Sequence, residues 1–299
     1  MTTSFRGILA AVVTPFGDDG STVDAEGVRR QVEHIVGAGV QGLVPLGSTG
    51  EFTTLSITER KEVADLYLKA VDGRVPVVVG TGALTTGETI DLTRHAADAG
   101  ATAVMIVPPY YGALRWEEVV AHYGAVSDAV DIDIMFYNLP DATGLDLSAG
   151  QLAELARNTR VTSFKDTGGD AVKFATVVHH YADAIQPLNG YDTLTFSGLA
   201  AGAQAGVWGA ASVIPRLCAD FYETLAVRGD IAGAREQWTK IFPICEFLET
   251  HNYASAIKTG LDLVGVPSGP PRLPTLPLAR EHAATFARLL RGAGIELAC

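Results

Sequence analysis

Lys165, Tyr137 and the pair Ser48-Thr49 are of the types that together could capture a ketone covalently. A primary amine forms a Schiff base with a carbonyl carbon only when unprotonated, and an ordinary lysine, with a pKa near ~10.4, is almost wholly charged at neutral pH. Burial beside Phe164 would disfavour the ammonium and release the amine. A tyrosine phenol can hydrogen-bond a carbinolamine or a substrate hydroxyl and carry its proton, and Tyr137 ends the strand before that of Lys165. Gly47-Ser48-Thr49-Gly50-Glu51 offers hydroxyls and backbone amides in a glycine-bounded turn, which suits a carboxylate. Amine, phenol and carboxylate cradle together imply a 2-oxo acid. Of six lysines, only Lys165 sits where a buried strand ends; Lys61, Lys69, Lys173, Lys240 and Lys258 lie in polar or helix-periodic stretches and are expected to face water. Each feature has a bland account alone, as a stem over apolar surface, a core ring or a plain turn. Their coincidence does not.

Those side chains need elements to bring them together. β-branched runs bounded by glycine and proline predict strands at about Ile8–Val13, Gly42–Leu46, Pro76–Val79, Ala103–Val107, Ile132–Phe136, Val161–Phe164, Ile185–Leu188 and Gly206–Trp208. Helical periodicity separates them at Ala25–Ala38, Ser56–Val71, Glu88–Ala99, Trp116–Val130, Ser148–Arg157, Asp170–Tyr181 and Thr193–Ala203. Ser56 and Glu59 have capping-box spacing. The apolar runs are nearly continuous, as in parallel strands covered on both faces. Eight βα units predict a TIM (β/α)8 barrel over residues 1–217, with its site at the C-terminal ends of the strands. Residues 218–299 read as a C-terminal helical extension of two or three helices with a proline-rich connector near 267–277, and no recognisable chemistry.

Composition narrows the partners. A chain of 299 residues that is 47% hydrophobic can bury a large core, and a net charge of −12 repels nucleic acid and anionic membranes. A small molecule is the expected partner. Apolar stretches break well before the roughly 18–20 residues of a membrane helix, and Met1 to Arg6 lacks a secretory pattern, so no membrane association and a cytoplasmic location are expected. Cys218, Cys245 and Cys299 are too scattered for a disulfide framework or zinc site. Gly80 to Gly87 lacks phosphate-loop spacing, and Asp166-Thr167-Gly168 is a single copy of a tripeptide that aspartic proteases use twice. His179-His180 are adjacent on a helix and point apart, and the other histidines are scattered, so no metal is expected.

Gly47-Ser48-Thr49-Gly50-Glu51, Tyr137-Asn138-Leu139-Pro140 and Phe164-Lys165-Asp166-Thr167, in that order and spacing, resemble the family of N-acetylneuraminate lyase and dihydrodipicolinate synthase over about residues 7–215. The resemblance implies a homotetramer, no cofactor beyond a pyruvate Schiff base on Lys165, and Tyr137 as general acid/base. It further implies that Ser48 and Thr49, beside Gly47, hold the pyruvyl carboxylate or relay protons. Tyr111 would be lent to a neighbouring subunit's site, and Thr167, Gly190 and Asp192 would contact substrate. Departures bear on the second substrate. Ala142 stands where the synthases carry an arginine for the aldehyde's carboxylate, leaving Arg115 as a possible substitute, and Ile57 and Leu84 argue against feedback by lysine. Asn189-Gly190-Tyr191-Asp192 is similar to the sialic acid lyases, but Thr193 and Ala210 replace their polyol-binding residues. Pro140-Asp141-Ala142-Thr143-Gly144 is similar to 2-keto-3-deoxygluconate aldolases. The expected activity is cleavage or formation of a 4-hydroxy-2-oxo acid, a 2-keto-3-deoxy sugar acid first. The alternatives are dihydrodipicolinate synthesis, a dehydratase of the same family, and a non-catalytic metabolite-binding barrel.

Overall fold

Runs such as Ile8-Leu9-Ala10-Ala11 and Ala103-Val104-Met105-Ile106 are buried along their whole length, because one face meets the barrel interior and the other meets helices. The computed structural model describes residues 3–298 and forms all eight predicted strands: β1 Gly7–Ala11, β2 Gly42–Val44, β3 Val78–Gly80, β4 Ala103–Ile106, β5 Ile134–Asn138, β6 Val161–Asp166, β7 Gln186–Asn189 and β8 Ala205–Trp208. They pair in parallel in the order β2-β1-β8-β7-β6-β5-β4-β3, and a parallel bridge between Leu43 and Val77 brings the two edges together. The result is a TIM barrel.

Around it run α1 Ala25–Gly37, α2 Ile57–Val71, α3 Thr86–Asp98, α4 Trp116–Ala129, α5 Pro140–Thr143, α6 Ala149–Asn158, α7 Ala171–His180 and α8 Thr195–Ala200. After β8 come α9 Ala210–Val213, α10 Pro215–Tyr222, α11 Ile231–Glu249, α12 Tyr253–Leu263 and α13 Arg280–Gly292. Polar caps set the starts: Ser56 and Glu59 make the predicted capping box, and Asp24, Thr85, Ser148 and Asp170 each accept from first-turn amides. The C-terminal helices are docked by aromatic packing. Trp208 of β8, Phe221 of α10 and Trp238 of α11 form one cluster, with Phe221 and Trp238 stacked at 5.2 Å between centroids.

Three local differences from expectation matter for the site. β5 and β6 run two residues past their predicted ends, because Asn138 donates to the Asp166 carboxylate at 2.7 Å and prolongs the pairing. Tyr137 and Lys165 are therefore strand residues rather than loop residues. The helix expected from Thr193 starts at Thr195, since Asp192–Leu194 form a 3-10 turn anchored by Asp192 and Thr193. Lys258, expected to face water, is 2% exposed, and Lys173 is half-buried and paired with Asp146. Cys299 lies outside the described residues, while Cys218 and Cys245 are free, buried thiols.

Candidate active site

Strand alternation aims Lys165. Phe164 turns outward and packs on Phe174 of α7, so its neighbour Lys165 faces the barrel interior. A bulge at Thr162 shifts the register of β5 against β6, after which Tyr137 lies directly beside Lys165 and Asn138 beside Asp166. The Lys165 Nζ sits 4.2 Å from the centroid of the Tyr137 ring. Both side chains are buried, and among the described residues no carboxylate pairs with Lys165, which leaves the amine free to meet a carbonyl. Gly190 makes room for the lysine stem: a Cβ there would lie 2.6 Å from Lys165 Cε and Cγ. Thr167 donates to the Gly190 carbonyl at 3.1 Å and fixes that approach.

The Tyr137 hydroxyl lies 3.5 Å from Ser48 Oγ. Burial would raise this phenol, but the adjacent Lys165 charge and hydrogen bonds with Ser48, Thr167 and Lys165 outweigh it and hold the group below its ordinary value. The Gly47–Gly50 turn is bracketed by Leu46 and Glu51, both non-glycine residues in the left-handed region at φ 62 and φ 55. Such backbone costs on the order of 1–3 kcal/mol per residue and persists only where surroundings enforce it. Here Thr14 Oγ1 donates to the Gly50 carbonyl at 2.8 Å, and Gly50 and Glu51 amides donate to Gly47 and Ser48 carbonyls.

These residues open on a cavity of about 450 Å³. Ser48, Thr49, Tyr137, Lys165, Thr167, Gly190 and Asp192 line it together, while Gly47 lies at the base of the turn. Tyr111 does not line it; it is 93% exposed, whereas Tyr110 packs edge-on against Phe52. Arg115 is turned away as the cap of α4, bonded to Glu118 and exposed, so it does not stand in for the residue absent at Ala142. Asp192 holds a wall: it accepts from the amides of Gly209 and Ala210, and from the Tyr253 hydroxyl at 2.6 Å. Burial pushes its carboxyl up to about 7.

A family model for the dihydrodipicolinate synthetase family matches residues 4–293. The chain belongs to that family. It is accordingly a pyruvate-dependent class I lyase. Among curated members of the dihydrodipicolinate synthetase family it is 37% identical to a 4-hydroxy-tetrahydrodipicolinate synthase of Methanothrix thermoacetophila, with 96% of each chain covered. It is 36% identical to one from Phenylobacterium zucineum, over 97% of this chain and 98% of that one. Among solved structures it is similar to the chloride-inhibited dihydrodipicolinate synthase from Acinetobacter baumannii complexed with pyruvate, with TM-score 0.93 and 30% identity over 98% of this chain and 100% of that one. It is also similar to a prophage protein of the dihydrodipicolinic acid synthase family from E. coli, in complex with pyruvate, with TM-score 0.93 and 29% identity over 98% and 100%.

The C-terminal helices, in which the sequence shows no recognisable chemistry, supply part of this family member's cavity wall. Glu249 of α11 accepts from the Thr193 amide and hydroxyl, and Asn252, Tyr253 and Ala254 line the wall. Burial raises the Glu249 carboxyl against the pull of its Thr193 hydrogen bonds. Lys258 reaches the underside of the Gly47–Gly50 turn, where it pairs with Glu51 at 3.2 Å. One sequence signal marked it: Ala254, Ile257, Lys258 and Leu261 share a helical face, which is otherwise apolar.

Proposed function

We propose that the chain cleaves or forms a 4-hydroxy-2-oxo acid, specifically a 2-keto-3-deoxy sugar acid, through a pyruvate Schiff base on Lys165. In cleavage, the Lys165 nitrogen adds to C2 and water leaves, giving an iminium. Tyr137 takes the proton of the C4 hydroxyl, an aldehyde forms at C4, and the C3–C4 bonding pair moves into the iminium to give an enamine. Protonation at C3 and hydrolysis then return pyruvate and free lysine. The pyruvyl carboxylate lies on Ser48 and Thr49, and Ser48 links Tyr137 to the proton path.

The observation that carries the sugar-acid reading is the make-up of the cavity wall. Lys165 is the only cation among the described residues lining it, while Glu51, Asp141, Asp192 and Glu249 line it with Thr53, Thr54, Thr275 and Asn252. Such a wall holds no cation beyond Lys165 to pair with an aldehyde that carries a carboxylate, and it offers acceptors and hydroxyls to a neutral polyol chain. A second reading, condensation of pyruvate with aspartate semialdehyde, draws support from the names of the curated relatives. Pyruvate release from a panel of 2-keto-3-deoxy sugar acids, set beside consumption of aspartate semialdehyde, separates the two. Borohydride reduction with pyruvate is expected to add a pyruvyl-sized mass to Lys165, and an unmodified Lys165 would refute the mechanism.

We further place the enzyme in the cytoplasm as a homotetramer in which Tyr111 reaches a neighbour's site; its exposure on this chain supports that reading. Light scattering of the purified protein tests the subunit number. Among the described residues, no helix is long and apolar enough to cross a membrane.

A further inference from the structure

The buried cation beneath the site is unused by the mechanism. Lys258 Nζ donates to the carbonyls of Thr14 at 2.8 Å and Pro270 at 3.1 Å, pairs with Glu51, and lies 4.3 Å from the Phe16 ring centroid. Glu51 in turn accepts from the Arg272 amide at 3.0 Å through its other oxygen. Its own amide donates to the Ser48 carbonyl at 3.1 Å and closes the Ser48–Glu51 turn that overlaps Gly47–Gly50. Thr14, whose carbonyl meets Lys258, uses its hydroxyl to hold the Gly50 carbonyl. One ammonium therefore ties the end of β1, the C-terminal segment and the turn that carries Ser48 and Thr49.

We infer that Lys258 is a positioning residue for the pyruvate cradle: through Glu51 and Thr14 it holds the Gly47–Glu51 turn so that Ser48 and Thr49 meet the substrate carboxylate. The left-handed Glu51 is the reason such a hold is needed, because a strained turn without its buried partner relaxes. Removing the cation also leaves the Glu51 carboxylate buried without a counter-charge, which favours movement of the turn. The inference rests on the reading that pyruvate binds there, but it assigns Lys258 no contact with substrate.

The charged groups facing Lys258 are Glu51 from the turn, Asp262 from its own helix, and Arg272 from the segment after α12; Arg272 is itself paired with Glu59 of α2 at 2.6 Å. Burial lowers the Lys258 ammonium to about 8, against the opposing pull of Glu51 and Asp262. Its charge is thus lost on the alkaline side of neutrality, where pyruvate binding is expected to weaken.

Steady-state kinetics of Lys258→Met, Lys258→Arg, Glu51→Gln and the Lys258→Met/Glu51→Gln double variant test this. With Lys258→Met the KM for pyruvate is expected to rise about 10-fold to about 100-fold, with kcat at saturating pyruvate within about threefold of wild type. Lys258→Arg, whose guanidinium stays charged, is expected to restore KM and to remove its rise above about pH 8. The double variant should also lack that alkaline rise. An unchanged KM in Lys258→Met, or an alkaline rise shared by the double variant, would overturn the inference. If Lys258→Met does not fold, Glu51→Gln decides: a raised pyruvate KM supports the inference and an unchanged one refutes it. Failure of the pyruvate reading itself looks different, since the wild-type enzyme would then form no borohydride-trapped adduct at any pyruvate concentration.

Discussion

Tyr137 and Lys165 divide the chemistry between a proton carrier and a nucleophile, so their loss should separate experimentally. Tyr137→Phe keeps the ring beside Lys165 and removes the hydroxyl. We expect kcat to fall about 10²-fold to about 10³-fold while borohydride still traps pyruvate on Lys165; loss of trapping would assign Tyr137 to Schiff-base formation instead. Ala142, exposed on α5 near the cavity mouth, tests the wall's charge. Ala142→Arg is expected to raise kcat/KM for aspartate semialdehyde by about tenfold or more, read as semialdehyde consumption, because it adds a bidentate carboxylate partner where the present rim offers carboxylates. The amine, the phenol and the hydroxyl turn were legible in the sequence because each lies in a short motif beside a strand. Glu51–Lys258 and Glu249–Thr193 were not, since the two partners of each pair lie about 56 or more residues apart and pairing across such distances leaves no local pattern.

At the scale of elements, the barrel was readable because the strands are short apolar runs, several of them closed by glycine or proline as at Gly47, Gly80, Pro108 and Gly209, and the helices were readable from caps such as Ser56-Glu59. The ends of β5 and β6 were not, because they are prolonged by the Asn138–Asp166 bond between strands, and that bond depends on a register set by the Thr162 bulge. The tight contact between β6 and the turn after β7 gives a sharp test. Gly190→Ala would drive a methyl into the Lys165 stem and displace Nζ. A loss of about 10²-fold in kcat/KM is expected, with slower borohydride trapping and an unchanged circular dichroism spectrum; wild-type trapping rates would show that the lysine has another route.

For the whole molecule, the interlock of barrel and C-terminal helices decides stability. Residue 217, where the sequence suggests a boundary, lies inside α10, and the Trp208–Phe221–Trp238 cluster spans it. We propose that the two parts unfold together, so that calorimetry shows one transition. Asp192 adds a pH signature. Burial pushes its carboxyl up to about 7 in the folded state, against an ordinary 3.8, so between these values the folded state keeps a proton that the unfolded state has released. Stability from this group is therefore full below about pH 4 and declines as pH rises to about 7, by on the order of 2–4 kcal/mol. Asp192→Asn should lack that share of the decline in chemical denaturation at matched pH values; identical slopes would remove the carboxyl from the account. The dependence of the Gly47–Glu51 turn on Lys258 and Arg272 also has a temporal meaning. A ribosome that has released the chain as far as β8 has already delivered every side chain expected to touch pyruvate, yet the nascent product should bind pyruvate only weakly until α12 and the segment through Arg272 emerge, so affinity for the substrate arrives after the residues that contact it.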